Sequence, residues 1–244
     1  MYHQVGEFRP MPNHRSTYCH VNRFRAQMAW LQRLGCKVLR MDEVLAALRG
    51  EKPIPPRAVA LTFDDGYENF YQYAYPVLAR HGFPAMVYLI SARIGQPAQW
   101  FAADGRATPP LMSAERIREL QQAGIDFGSH GAHHIKLAEV DLDTARQDIV
   151  DSRRQLQDLL GDEVRHFCYP YGSHNAAVVD LVRQAGFATG VSCQRGAATA
   201  DFDALALPRK AISYGDNLLG FLWKLLMKDE PKGEAVVLKP IRAG

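Results

Sequence analysis

Four segments of the chain share one pattern, in which a helical stretch ends at a glycine and an apolar, β-rich run follows at once. The glycines are Gly35, Gly82, Gly124 and Gly186. Glycine accepts the left-handed backbone that closes a helix, so each position predicts a helix-to-strand junction. Repeated helix-then-strand units need crossover connections and therefore predict an α/β protein with a mainly parallel sheet.

Apolar runs predict seven or eight strands, near residues 2–5, 38, 58–63, 85–90, 125–127, 164–168, 187–192 and 211–213. The clearest helix spans about 143–160, where apolar residues recur at three- and four-residue steps until Gly161. That number of strands in 244 residues fits one closed or nearly closed barrel. We therefore predict a single barrel over 1–215 and an apolar helix with a tail over 216–244.

Charge and cysteine usage exclude some classes of protein. The net charge is only +3, and Lys and Arg are scattered, so nucleic acid is not a predicted partner. The four cysteines form no C-x-x-C pair, which favours free thiols in a reducing compartment. No window is apolar enough to span a membrane, and no leader is visible at the first residues. We expect a cytoplasmic protein, although removal of an upstream leader would leave the same sequence.

Two separate motifs carry chemistry. Asp64 and Asp65 end the apolar run 58–63, and His130 and His134 follow the short apolar run 125–127. In α/β barrels, catalytic groups collect where strands end. One carboxylate and two imidazoles make a metal site that leaves positions open for water, which the metal activates. The second aspartate is then free to act as general base.

A third segment, 167–172, places aromatic residues beside Pro170 and Gly172 after another predicted strand. Such a loop could wall a cleft and present backbone N–H groups to an oxyanion, or it could be a proline turn with core aromatics. Trp100 lies in an insertion over 95–110. Its ring could stack on a sugar, but packing on the barrel as a loop anchor is slightly favoured.

Three motifs carry a resemblance to a known family. The segment 62–66, the pair His130 and His134, and the segment 169–172 resemble, in that order, the first three motifs of the NodB-type polysaccharide deacetylases, carbohydrate esterase family four. The similarity extends from 2–3 to about 213. It implies a distorted (β/α) barrel of about seven strands and metal-dependent removal of an N-acetyl group from an amino sugar.

The resemblance also implies a role for each motif residue. Asp64 would be the general base, and Asp65, His130 and His134 the metal ligands. The backbone N–H of Tyr171 would stabilise the oxyanion. We add Tyr169, Pro170 and Trp100 as predicted substrate contacts. Zinc is the expected metal because two ligands are histidines, and cobalt, nickel or manganese would fit a mixed nitrogen and oxygen site too.

The chain departs from the family pattern at two places. Many members have an Arg two residues before the motif proline, where this chain has Cys168. The late Leu-x-His, whose histidine is the usual general acid, has no counterpart in 205–209. The general acid is therefore open, with His3 and His133 as candidates.

These departures leave other functions open. The same site could remove a formyl group or open a cyclic imide, and a catalytically inactive carbohydrate-binding relative is a further alternative. The apolar segment 218–228 predicts a short helix packed on the barrel, or an interfacial helix that brings the enzyme to a lipid-linked substrate. In the latter case the protein would lie at the inner face of the membrane.

Overall fold

The structure, a computed structural model, describes residues 1–10 and 14–228. This part of the chain contains nine short strands and seven α-helices. Side chains of 103 and 104 are not described. The strands are β1 (Gln4–Gly6), β2 (Tyr18–His20), β3 (Lys37–Val38), β4 (Ala58–Val59), β5 (Thr62–Phe63), β6 (Met86–Leu89), β7 (Asp126–Ser129), β8 (His166–Cys168) and β9 (Thr189–Val191). The helices are α1 (Val21–Arg33), α2 (Met41–Leu48), α3 (Tyr75–His81), α4 (Ala114–Gln122), α5 (Leu142–Leu160), α6 (Ala176–Gln184) and α7 (Leu218–Met227).

The central sheet is parallel and curls into a barrel. Its order is β5-β6-β7-β8-β9. At one edge the Tyr2 N–H donates to the Thr62 carbonyl oxygen (2.9 Å). Beyond the other edge, the Ser192 N–H donates to Leu207 (2.9 Å) and the Ile212 N–H to Met1 (3.0 Å). The amino-terminal segment therefore lies between the two edges, and the predicted distorted (β/α) barrel is confirmed.

Two strand predictions need correction, and one observed strand was not predicted. The run 58–63 is divided between β4, which pairs with β3 in a separate sheet, and β5, which joins the central sheet. A continuous apolar run does not show where a strand changes partner. Residues 211–213 form no strand, and β2, which pairs with β1, was not predicted. The remaining predicted strands lie within a few residues of the observed ones.

An aromatic cluster fixes the end of β5. The ring of Phe63 stacks on Tyr2 (centroids 5.2 Å apart) and meets Phe70 edge-on (4.8 Å), and Phe24 packs against both Tyr2 and Phe63. All four side chains are buried. Truncating a buried phenylalanine to alanine costs about 3–5 kcal/mol. Packing of this size holds the strand end from which Asp64 and Asp65 project.

The helix predicted at 143–160 is α5. It begins after Asp141, whose side chain accepts a hydrogen bond from the Thr144 N–H (2.8 Å), and it ends at Gly161, which has the left-handed φ of 67°. Its inner face buries Ile149 and Leu156 against the barrel. The same face carries buried polar residues, which the sequence pattern did not predict.

The C-terminal helix α7 has two apolar faces. Phe221 is buried, and Leu222 and Leu225 pack against the core, whereas Leu219 and Trp223 are exposed by 76% and 55%. In residues 1–10 and 14–228, no helix is both long enough and apolar enough to cross a membrane. Residues 229–244 of the predicted C-terminal region lie outside the described residues, and the boundary at 215 stays a prediction.

Candidate metal centre and active site

Three loops bring the motif residues together at the carboxyl edge of the central sheet. Asp64 and Asp65 follow β5, His130 follows β7, and the loop with Tyr171 follows β8. Parallel strands end on the same side of a barrel, so residues distant in sequence become neighbours there. Both aspartates and His130 are buried, and Tyr171 is half exposed.

Two imidazoles converge on one carboxylate oxygen. The Nε2 atoms of His130 and His134 lie 3.2 Å and 3.4 Å from Oδ1 of Asp65. One ligand atom from each of the three residues lies within 4.8 Å of the others. This geometry joins the three residues that the sequence predicted as metal ligands.

A hydrogen bond fixes the ring orientation of His130. Its Nδ1–H donates to the carbonyl oxygen of Cys168 (2.8 Å), because a carbonyl can only accept. Nε2 then faces the Asp65 carboxylate, and this contact is favourable with either a proton on Nε2 or a metal cation between the two groups. Metal-binding histidines usually have their second nitrogen engaged in this way. The donor set therefore fits a divalent metal such as zinc.

Ionisation of the three groups follows from the same contacts. Burial lowers the pKa of His130, but Cys168 and Asp65 outweigh this and raise the pKa well above its usual value, so a metal must displace a proton from this ring. Burial raises the pKa of Asp65, but the imidazoles of His130 and His134 outweigh it and hold the pKa well below the usual range. Burial lowers the pKa of His134 to about 4, so this ring is neutral near pH 7. A carboxylate and a neutral imidazole are the forms that bind metal.

Asp64 is held by a buried arginine. Arg209 donates from Nη1 to Oδ1 (2.7 Å) and from Nη2 to Oδ2 (2.8 Å) of Asp64. Burial raises the pKa of Asp64, but the charge and hydrogen bonds of Arg209 outweigh this and lower it to about 2. Asp64 is therefore an ionised carboxylate that faces the metal centre.

Arg209 is the functional residue that the sequence reasoning missed. Its Nη2 also lies 3.2 Å from Sγ of Cys168, the residue at the motif position where many family members have an Arg. The guanidinium therefore reaches this place from the segment after β9. Arg209 is a charged residue directly after the apolar run 205–208, and that position was the available signal. A second possible metal group, Asp64 with His130 and Cys168, is occupied by this guanidinium.

The structure separates the two candidate general acids. Nε2 of His3 lies 3.8 Å from Oδ2 of Asp64, and burial lowers the pKa of His3. In contrast, His133 is 57% exposed and its Nδ1–H is bound to Asp148 (3.0 Å). Of the two candidates, His3 is the one that adjoins Asp64, the predicted base.

The other predicted substrate contacts have different surroundings. The rings of Trp100 and Tyr171 flank His134, with centroids 4.6 Å and 4.5 Å from its ring. Tyr169 and Pro170 are buried, and the Tyr169 hydroxyl donates to the Leu205 carbonyl oxygen (2.7 Å). A contact of these two side chains with substrate is therefore not supported, because the proline turn packs them into the core.

Three site residues have strained backbones. Asp65, His134 and Tyr171 have φ values of 75°, 59° and 57°, in the left-handed region. Such a conformation costs about 1–3 kcal/mol per non-glycine residue and collects at functional sites. The surrounding packing must therefore hold all three residues in place.

Comparisons with known proteins agree with this geometry. The sequence model of the polysaccharide deacetylase family matches residues 51–190. The chain is 29% identical over 192 residues to YxkH of Bacillus subtilis, a protein assigned to the polysaccharide deacetylases, covering 79% of this chain and 64% of that protein. It is 25% identical over 201 residues to the poly-β-1,6-N-acetyl-D-glucosamine N-deacetylase of Staphylococcus aureus, covering 79% and 67%.

A solved structure confirms the fold. The Streptococcus pyogenes deacetylase PplD, determined with acetate, aligns with a TM-score of 0.77 at 23% identity, over 92% of this chain and 95% of that one. The chain belongs to the polysaccharide deacetylase family, a family of hydrolases that act on N-acetyl amide bonds. The predicted family is confirmed. The chain spans about two thirds of the length of the two curated relatives.

Proposed function

We propose that this protein removes N-acetyl groups from the amino sugars of a glycan or of a lipid-linked glycan precursor. The observation that carries the proposal is the Asp64–Arg209 pair directly beside the convergent Asp65, His130 and His134. The named activity of the Staphylococcus aureus relative makes β-1,6-linked N-acetylglucosamine oligomers the first substrates to test.

Asp65, His130 and His134 would hold one divalent metal, with zinc favoured by the two imidazoles. When bound, it supplies a Lewis acid that makes water acidic near neutral pH and polarises the acetyl carbonyl. Asp64 accepts the proton of the attacking water, because Arg209 keeps it ionised and oriented. The Tyr171 backbone N–H would stabilise the oxyanion. The rings of Trp100 and Tyr171 would line the site of the sugar.

His3 would carry a proton to the leaving nitrogen. It lies beside Asp64, and its lowered pKa keeps the ring neutral near pH 7, so it would take up the proton that Asp64 accepts from water and pass it to the leaving nitrogen. The inactive alternative was suggested by two gaps in the motifs, the missing arginine and the missing late histidine. In this proposal Arg209 takes the place of that arginine and His3 the place of that histidine. The hydrolase is therefore the better proposal, with formyl and cyclic-imide substrates as alternatives for the same site.

The test is acetate release from β-1,6-linked and β-1,4-linked N-acetylglucosamine oligomers by chelated protein, with and without restored zinc. N-formyl sugars and cyclic imides are assayed in parallel. We expect zinc-dependent acetate release that is lost again on chelation. Turnover confined to imides would refute the sugar assignment, and zinc binding without turnover of any compound would favour the inactive alternative.

We expect His3→Gln to lower kcat on N-acetyl sugars by about 10²–10⁴-fold, the usual contribution of a general acid. The loss should shrink strongly on 4-nitrophenyl acetate, because a nitrophenolate leaves without a proton. His81→Gln is the matched control, since the His81 ring contacts Gln32 away from the site. His133→Gln tests the other candidate acid. An equal loss on both substrates, or a loss only in His133→Gln, would contradict the assignment.

We also propose that α7 contacts a membrane surface peripherally. Its exposed residues Leu219, Trp223, Leu226 and Met227 follow helical spacing and form one apolar stripe. We expect the intact protein to co-sediment with vesicles, and Leu219→Ser/Trp223→Ser or a chain that ends at Asn217 to stay in solution. Equal binding by all three forms, or none by any, would exclude this contact. The cytoplasmic location stays a prediction that cell fractionation can test.

A further inference from the structure

A buried polar stripe runs along the inner face of α5. Asp148, Ser152 and Gln155 are spaced i, i+4 and i+7, so they lie on one side of the helix. Asp148 and Ser152 are buried, and Gln155 accepts a hydrogen bond from the Ser91 hydroxyl (2.7 Å). Core-facing positions of a helix are normally apolar. Polar groups at such positions need partners. Those of Asp148 lie in the loop between the two predicted metal-site histidines, and Ser152 and Gln155 contact Ser129 and Ser91 beside that loop.

The Asp148 carboxylate binds the backbone of that loop. Its Oδ2 accepts the Ala132 N–H (2.9 Å), and its Oδ1 accepts both the His133 N–H (2.9 Å) and the His133 Nδ1–H (3.0 Å). The carboxylate is only 2% exposed. A buried carboxylate that accepts several N–H bonds makes strong, directional contacts.

The neighbouring groups complete the attachment of the loop. The Gly131 N–H donates to the Ser129 hydroxyl (3.1 Å), which in turn lies 2.6 Å from the Ser152 hydroxyl. On the opposite side, the Ser91 N–H donates to the Gly131 carbonyl oxygen (3.1 Å). The loop is therefore held from both sides, by α5 and by the turn after β6.

The loop and the carboxylate fit each other closely. Gly131 has a φ of 73°, and a Cβ built on it would lie 2.6 Å from Oδ2 of Asp148. The carboxylate thus occupies the space that any other side chain at 131 would need. Three residues further on, His134 has the strained φ of 59° that directs its ring to Asp65.

We propose that Asp148 is a positioning residue for the cation site, which sets the placement of His130 and His134 around Asp65 through its hydrogen bonds to the loop backbone. The proposal rests on the proposed function only in that a divalent cation binds these three residues. It adds a residue from α5, outside the family motifs, to the determinants of metal affinity.

The experiment measures zinc affinity of the full chain by competition with a chromogenic chelator. Asp148→Asn keeps the shape of the side chain but replaces one acceptor oxygen by a donor that opposes a backbone N–H. We expect its zinc dissociation constant to rise by at least about tenfold, as for other residues that support metal ligands. The control is Asp143→Asn on the same helix, whose side chain is 92% exposed, and it should stay within about twofold of wild type.

Melting of the metal-free proteins distinguishes positioning from stability alone. If Asp148→Asn lowers the melting temperature but binds zinc as tightly as wild type, the proposal is overturned and the deacetylase function stands. If Asp148→Asn shows the expected loss of zinc affinity while wild type binds zinc yet releases no acetate, the proposed function fails and the positioning role stands.

Hydrogen exchange of the wild-type protein provides an answer even if Asp148→Asn does not fold. The proposal expects the amides of Ala132 and His133 to exchange at least about a hundredfold more slowly than those of the exposed turn 198–200, because buried carboxylate oxygens accept them. Exchange as fast as in that turn would overturn the proposal.

Discussion

Asp64→Asn is expected to lower acetate release by about 10²–10⁴-fold, because the amide cannot accept the proton of the attacking water. Zinc binding should persist, since Asp65 and the two histidines are the proposed ligand set. The measurement is kcat with saturating zinc, together with the zinc dissociation constant of the same preparation. Asp64→Asn thus separates the base from the metal ligands.

The adjacent variant Asp65→Asn is the matched control. Its main effect should be a loss of zinc affinity, and its loss of turnover should follow from that. Asp64→Asn also leaves the Arg209 guanidinium without its carboxylate partner in a buried place. The folded fraction must therefore be measured by circular dichroism before rates are compared. Loss of zinc by Asp64→Asn with full binding by Asp65→Asn would reverse the two assigned roles.

Arg209→Met is expected to lower both stability and turnover. It leaves the Asp64 carboxylate buried and unpaired, and breaking a buried ion pair in this way costs about 3–5 kcal/mol in the free energy of unfolding. Turnover should fall as well, because burial alone raises the pKa of Asp64 and favours its protonated form. Arg209→Lys should be intermediate, since an ammonium keeps the charge but not the two parallel hydrogen bonds.

Urea unfolding of the metal-free proteins tests this prediction. The pKa of Asp64 falls from 3.8 to about 2 in the fold, so the pair stabilises the protein above about pH 4, and this contribution is lost as the pH falls toward 2. The difference between wild type and Arg209→Met should start to shrink at the raised pKa of the unpaired Asp64, above about pH 4, and should continue to shrink down to about pH 2. Arg183→Met, which removes a partly exposed pair with Asp203, is the control and should cost less than about 1 kcal/mol. Equal losses in the two variants would contradict a special role for Arg209.

Local chemistry made the barrel and the metal site predictable from sequence. Glycines after helices marked the junctions, and α5 was found with its end at Gly161 because helical periodicity is a local property. Asp65, His130 and His134 were found because residues at strand ends meet at one edge of a parallel sheet. The division of the run 58–63 was not predictable, since strand pairing depends on distant segments.

Burial and long-range contacts decided the rest. Tyr169 was predicted at the substrate, yet its hydroxyl bonds to Leu205 inside the core, which no local pattern indicates. His3 and His133 were equal candidates in sequence, and only the barrel closure brings His3 to Asp64.

By itself, the sequence determined the fold class and the family, and it identified the carboxylates and imidazoles of the candidate site. All of these follow from periodicity and from motifs of a few residues. Only the tertiary structure decided which arginine binds Asp64, the proposed base, and which buried carboxylate binds the loop that carries the histidines. Arg209 is 145 residues from Asp64, and Asp148 is 16 residues from Ala132 on another element. Their roles come from low-dielectric surroundings in which each charge needs a partner, and that partner is chosen by packing in three dimensions.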